Sequence, residues 1–464
     1  MRHGLVWLLV GVIGCTPRSD EASRSDQSAS DPHEGISSEG TGSDATGSDS
    51  TATSTDGTDD SDTIPSGTAS DLSSDALTEA ELDERAARAA IAGERPVAEV
   101  LAEVAWRGGW PVRVGADTYL FLHPSEDPHA LSLAGDFNDW DPAPMTSGPG
   151  FAWVELSIEA PEGSGYKFVQ GSDFRADPWA RSFTYDAFGE LSFVRPPAED
   201  WRLDRWPEAQ AAGLPPRPVH VLVPPGEGPW PVLYAQDGQN LFNPSGMFGG
   251  WGLQAVLREA SGPALVVGTF AGPDRLAEYA HTDDAISLGD VTGRLDDFTE
   301  LLTGVVRPKI EEVYGVGPVT GLLGSSMGGV ASLGIAHAQP GEWDFVASMS
   351  GTLGWGRFSA EGPTLQELYL DAPPDLVVYV DSGGGPGPLG CQDLNGDGFY
   401  ADDPDHSDNY CTNRAFADAL ADDGWVWNET LFHWHEPDAP HNEIAWRARV
   451  HRPIEIFLDL VPAH

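Results

Sequence analysis

The chain reads as an α/β protein with a largely parallel sheet, preceded by a small all-β sandwich. Two changes of texture and the length predict this. From about Val219, strands of the fully buried type ("VHVLVP", "PVLYAQ", "ALVVGTF", "VTGLLG", "DLVVYV") alternate with helical segments such as Leu253–Ala260 and Asp297–Val313. Apolar runs separated by helices are what a parallel sheet covered on both faces requires. From about Pro111 to Pro197 the runs are shorter and alternate ("DTYLFLHP", "HALSLAGDF", "FAWVELSIE", "GYKFVQG", "ELSFVRP") between Gly, Pro, Asn and Asp, the signature of a β-sandwich. The 464 residues are enough for two such domains.

The segments before the sandwich have different jobs. "MRHGLVWLLVGVIGC" carries one arginine, an apolar run from Leu5 to Ile13 that is too short to span a bilayer, and then Gly14-Cys15. A small residue before a cysteine at this place resembles a bacterial lipoprotein signal. The resemblance implies cleavage of residues 1–14, lipid on Cys15 and, with Thr16 next, the outer membrane of the cell envelope. Residues 15–75 are Ser, Thr, Asp and Gly with almost no aliphatic side chains. They cannot bury enough apolar surface to offset chain entropy and read as a tether. Residues 76–110 have helical composition, with Thr78 or Asp75 as cap and a break over Gly93–Pro96. The sandwich is expected over 111–198 and the α/β domain over 199–464.

Charge narrows the partners. The formal net charge is −48, from 25 Lys and Arg against 73 Asp and Glu. Nucleic acid is excluded as a partner, because phosphate neutralisation needs clustered cations. A basic face for an anionic membrane is absent as well, so membrane association is expected only through the N-terminal lipid. Of three cysteines, Cys391 and Cys411 remain as a candidate pair if Cys15 is lipidated, and export permits a disulfide.

The strongest chemical signal is Gly324-Ser325-Ser326-Met327-Gly328, a G-x-S-x-G match. A nucleophilic serine on a tight strand-to-helix turn needs small neighbours. Here a short apolar strand, Val319–Leu323, precedes it and helix formers follow from Val330. The serine needs a base, and the last third has one His-rich stretch with His433, His435, His441 and His451. His441 lies on a Pro-flanked polar loop after a strand-like run and before a helical one, where a general base belongs. His433 and His435 suit strand packing, and His451 suits a helix-end dipole contact.

"LYAQDGQNLF", "RLAEY", "GSSMGG" and "APHNEIAWRARV" together resemble the esterase D / enterochelin esterase group within the α/β-hydrolase superfamily, from about Pro215 onward. The resemblance implies Ser326 as nucleophile, His441 as base, and an oxyanion hole from the N–H groups of Met327 and Gln239, with Gly238 the second choice. It implies no cofactor. Asp237 is expected to brace its turn. In that group the acid follows the strand equivalent to "DLVVYVD", but the position falls near Pro386. Residues 389–406 look inserted, so the acid is expected at Asp408, before the next helix, with Asp381 at the strand end as the alternative. The insert holds Asp393, Asn395, Asp397 and Gly398, the first half of an EF-hand-type loop, with Phe399 and Asp403 as further ligands of a structural calcium; position 12 is Pro404, a departure from that pattern.

"LAGDFNDWDPAPM" with "GYKFVQG" and "ADPWARSFTYDAFGELSFV" resembles the early-set, immunoglobulin-like modules that precede glycogen-branching enzymes. That implies Trp140, Lys167 and Trp179 as candidate carbohydrate binders. The expected function is an exported serine carboxylic-ester hydrolase acting on small-molecule or polysaccharide esters, carbohydrate-linked or siderophore esters among them. An acyltransferase on the same triad, or a non-catalytic glycan-binding surface lipoprotein, are the alternatives.

Overall fold

A computed structural model describes residues 77–211, 213–286, 289–360, 362–386, 390–392 and 408–462. Two helices come first, Glu79–Ile91 and Val97–Trp106. Thr78 and Glu81 form a capping box that satisfies the first helix's leading N–H groups. Gly93, at φ +74°, and Pro96 break the pair where the sequence predicts. Their apolar faces (Ala87, Val100, Leu101, Val104) pack on Trp110, Leu120, Leu122 and Phe151.

Leu120, Leu122 and Phe151 lie on one face of a four-stranded antiparallel sheet containing Thr118–Pro124 and Phe151–Ser157. Successive strand residues face opposite ways. Tyr119 and Phe121 therefore point to the other side, against Leu131, Leu133, Tyr166 and Phe168 of a second sheet. The strand is buried on both faces because the helices cover its back, so its polar alternation is weak.

The α/β expectation holds. Six parallel strands, Leu431–His435, Val377–Ser382, Phe345–Met349, Val316–Ser325, Trp230–Gln236 and Leu265–Thr269, run side by side in that order. Alternate residues serve two helical layers. Val232 and Tyr234 meet the layer with Met327–Ala338, whereas Leu233 and Ala235 meet the layer with Leu253, Ile454 and Phe457. Beyond Leu265–Thr269 the pairing turns antiparallel, through Arg217–Val223 and Arg202–Ala209. It then continues without a break into Ser182–Asp186, by the pairs Leu203↔Phe183 and Asp204↔Ser182. One hydrogen-bonded array thus runs across the boundary expected at 198/199. Arg181 stacks 4.0 Å over Trp206, and Tyr314 donates to Asp204 at 2.8 Å, both at this junction. Among the described residues no helix is long and apolar enough to cross a membrane.

Candidate active site

Ser326 sits between the strand Val316–Ser325 and the helix Met327–Ala338 with φ 55° and ψ −124°. A non-glycine residue holds such a conformation only when its surroundings compensate for the strain. The neighbouring glycines provide the room. A Cβ on Gly324 would stand 2.1 Å from the Gly328 oxygen, and one on Gly329 2.3 Å from Ser348 Oγ. The Ser326 N–H donates to Met349 O at 3.0 Å, its carbonyl accepts from Thr352 N at 3.2 Å, and its Oγ lies 3.3 Å from Thr352 Oγ1. Met327 opens the helix, so its N–H has no acceptor one turn back.

The neighbouring strand, Trp230–Gln236, ends in Asp237 at φ 59° and enters the short helix Gly238–Leu241. A Cβ on Gly238 would meet Gly268 O at 2.3 Å, so the turn can approach that strand only as glycine. Asp237 accepts a two-pronged ion pair from Arg275, Nε and Nη2 each at 2.7 Å, and Gln239 Nε2 at 3.2 Å. Gln239 Oε1 in turn accepts Ala271 N at 3.0 Å. The Asp237 side chain is therefore engaged in bracing, and the Gln239 side chain is clamped, which leaves its backbone N–H in the first turn of the helix. "RLAEY" supplies more than Arg275: Tyr279 Oη accepts the Asp237 N–H at 3.2 Å, and Glu278 is paired with buried Arg217.

His441 lies between the strand Leu431–His435 and the helix Glu443–Arg449. Asn442 caps that helix by accepting from Ile444 N and Ala445 N, each at 3.1 Å. Nδ1 of His441 is 2.6 Å from Asp408 Oδ1. Oδ2 of the same carboxylate accepts from Ser350 Oγ at 2.7 Å, from Arg449 Nη2 at 3.2 Å and from the Gly383 N–H. Burial alone would raise the Asp408 carboxyl. The hydrogen bond and charge of His441, the charge of Arg449 and the Ser350 hydroxyl outweigh it and hold the group below the usual carboxylate range. Asp408 is not the cap of the helix Tyr410–Asp422; that position is Asn409.

Asp381 is equally buried but faces elsewhere. It accepts the Ser350 N–H at 3.1 Å and Tyr379 Oη–H at 3.0 Å, and its Oδ1 lies 3.1 Å from Arg449 Nε. Burial pushes it up to about 6, against the opposing charge of Arg449. Cys391 and Cys411 form a disulfide that closes the chain around the segment leading to Asp408.

The base-bearing helix is tied to the Asp237 turn. Asn240 Nδ2 donates to buried Glu443 at 3.2 Å, and Arg447 Nη1 donates to Gly249 O and Gly250 O, each at 3.2 Å. Trp446 stands edge-on to the His441 ring, centroids 5.0 Å apart. His433 and His435 are engaged on their strand, and His451 is exposed at the first position of the helix His451–Asp459, not at a helix C-terminus. Burial pushes His433 down to about 4, and His435 Nε2 lies 2.9 Å from Gly384 O. Ser350 carried no sequence signal, whereas Glu443 and Arg449 in "APHNEIAWRARV" and Arg275 in "RLAEY" had no assigned role although their motifs were visible.

The remaining candidates are engaged with their own neighbours. Lys167 is buried and donates to Phe188 O at 3.1 Å, Trp179 is half-buried against the N-terminal helix cluster, and half-buried Trp140 donates from Nε1 to Asp136 at 2.8 Å. Cys15 and the calcium candidates Asp393, Asn395, Asp397, Phe399 and Asp403 lie outside the described residues. Among the described residues no group of three His, Cys, Asp or Glu is placed to hold a metal ion.

A profile of the family described as "Putative esterase" matches residues 215–451, just over half of the chain. Among curated proteins none matches the sequence. Similar solved structures include an IroE-like serine hydrolase from Shewanella oneidensis (16% identity, 57% of this chain and 82% of the other, TM-score 0.43). The enterobactin esterase FES from Shigella flexneri is another (14%, 75% and 95%, TM-score 0.39). A third is the siderophore hydrolase EstA from Aspergillus nidulans (16%, 56% and 95%, TM-score 0.40).

Proposed function

Because the chain belongs to the putative-esterase family and is a serine ester hydrolase, we propose that Ser326, His441 and Asp408 are its triad and that its substrates are carbohydrate-linked or siderophore esters met outside the cytoplasm. The observation that carries the triad is the 2.6 Å contact between His441 Nδ1 and Asp408. The second carboxylate oxygen takes three donors, so the group is an anion with acceptors only. His441 must then keep its proton on Nδ1, which leaves Nε2 bare to take the proton of Ser326 as it attacks the ester carbonyl. The Met327 and Gln239 N–H groups would receive the developing oxyanion. His441 then passes the proton to the leaving alcohol, and water, activated the same way, releases the acid from the acyl-enzyme.

Export is supported by the apolar run Leu5–Ile13 and a lipid on Cys15 by the Gly14-Cys15 pattern after it, and calcium in the insert by Asp393, Asn395, Asp397 and Gly398, with Phe399 and Asp403 as further ligands. The chemistry itself calls for no cofactor. Transfer of the acyl group to a sugar or alcohol is the competing reading on the same triad. Purified protein and its Ser326→Ala variant, given a panel of activated, phenolic and acetylated-sugar esters with and without acceptor alcohols, test these readings. Hydrolysis by the parent alone supports the esterase. Acyl transfer that outcompetes water would replace it with a transferase, and full activity in Ser326→Ala would sink both.

A further inference from the structure

We infer that Ser350 is a positioning residue for this reaction: its hydroxyl, by donating to Asp408 Oδ2, holds the acid in line with His441. The inference rests on the triad proposed above. Ser350 follows the strand Phe345–Met349, is fully buried and has φ +48°. Glycine would adopt that backbone at less cost, so the side chain is what makes a serine useful there.

Valence fixes the direction of its bonds. A serine hydroxyl has one proton and two acceptor lone pairs. Trp446 Nε1, at 3.1 Å, and Arg449 Nη2 both contact Ser350 Oγ, and neither can accept. Both lone pairs are therefore taken, and the single proton has only Asp408 Oδ2, at 2.7 Å, to go to. The hydroxyl is thus a donor of fixed direction, aimed at the triad acid. Its own backbone is pinned in turn by Asp381, whose Oδ1 and carbonyl both accept the Ser350 N–H.

The same short segment touches the rest of the machinery. Met349 O and the Thr352 N–H hold the backbone of Ser326 on either side. Trp446, held by Ser350, presents its ring to His441. Asn409 Nδ2 donates to Ser350 O at 2.9 Å and Asn413 Nδ2 to Gly351 O at 2.7 Å, which docks the chain that delivers Asp408. An acid that arrives at the end of a long insert is in this way seated against the strand next to the nucleophile.

The experiment compares the full chain with Ser350→Ala, Ser350→Gly and Asp408→Asn, using p-nitrophenyl acetate across pH 5 to 9. Loss of one hydrogen bond to a charged group should lower kcat about 10- to 100-fold while KM stays within about 2-fold. With one donor gone the carboxylate becomes more basic and holds the His441 imidazolium more strongly. Arg449, Asp381 behind it and Glu443, whose charge acts on His441, are the other charges facing the pair, and all three remain in the variants. The acid limb of kcat/KM should therefore move up by about half a pH unit or more. The glycine variant must show the same changes, although its backbone is at ease, and it carries the comparison should the alanine variant not fold. A folded variant with kcat within about 2-fold of the parent, or with an unmoved acid limb, overturns the role of Ser350. If Asp408→Asn is itself fully active, the acid assignment fails, and the inference fails with it. If Asp408→Asn is inactive while Ser350→Ala is fully active, only the inference fails.

Discussion

Replacing Asp408 with asparagine tests the polarity of the site, because its environment dictates how the amide must lie. Ser350 Oγ, Arg449 Nη2 and the Gly383 N–H all donate to the Oδ2 position. An amide NH2 there would face donors only, so the asparagine must place its oxygen at that site and its NH2 toward His441. Nδ1 of His441 then has to accept, and its proton moves to Nε2, the nitrogen that must be bare to take the serine proton. The fold and the substrate site are retained while the tautomer is wrong. In chymotrypsin-like enzymes that error lowers kcat about 10⁴-fold, which corresponds to about 5.5 kcal/mol of transition-state stabilisation. Asp381 makes no contact with His441, since its oxygens face Ser350 N, Tyr379 and Arg449. Asp381→Asn should cost less than about 10-fold by comparison. Steady-state hydrolysis of p-nitrophenyl acetate, with circular dichroism to check folding, decides the matter. Folded Asp408→Asn within about 10-fold of the parent, or an equal loss in the two variants, would refute the reasoning.

Three further outcomes follow from the same geometry. Reducing the Cys391–Cys411 bond frees a closure of sequence separation 20 and should lower unfolding stability by about 3 kcal/mol, with kcat falling more than KM changes; an unchanged urea midpoint under reductant would contradict this. Gly324→Ala brings a Cβ to 2.1 Å from backbone at Gly328 and should cost about 3 kcal/mol or more together with esterase activity, so a variant of parental stability would show that the turn can open. His433, held down to about 4 by burial, binds its proton only when the chain unfolds between pH 6.5 and 4, so it contributes stability at neutral pH that is lost on acidification. His433→Gln should therefore lose about 1–2 kcal/mol less than the parent over that window in urea titrations, after allowance for the partly exposed ring, and parallel curves would rule this out.

Legibility in the sequence followed the range of the forces involved. The parallel sheet was readable because buried strands and intervening helices write their periods locally. Ser326 stood out because a strained turn needs glycines at fixed spacing, and His441 because a polar loop interrupts a strand and a helix. Asp408 and Asp381 were harder to separate. Asp381 lies at the end of the strand Val377–Ser382 and Asp408 just before the helix Tyr410–Asp422, and what distinguishes them is the direction in which the folded chain turns them. Ser350 carries no local mark at all, and Arg449, though it stands in "APHNEIAWRARV", shows its role only when partners from separate segments meet it. Lys167 and Trp179 show the converse case. Their residue types fit a sugar platform, but the covering of Trp179 by the N-terminal helices and the burial of Lys167 depend on packing that spacing does not record. Continuity of the sheet across Leu203↔Phe183 was likewise invisible, because an edge strand looks the same whether it ends a sheet or joins one.

The most direct measurement is intact-protein and peptide mass spectrometry after reaction with a fluorophosphonate, performed on the parent and on His441→Gln. A single adduct at Ser326 in the parent, formed in step with loss of ester hydrolysis and strongly slowed in His441→Gln, is the predicted result. An adduct at another serine, or full inactivation with Ser326 unmodified, would contradict the assignment of the nucleophile on which every other step depends.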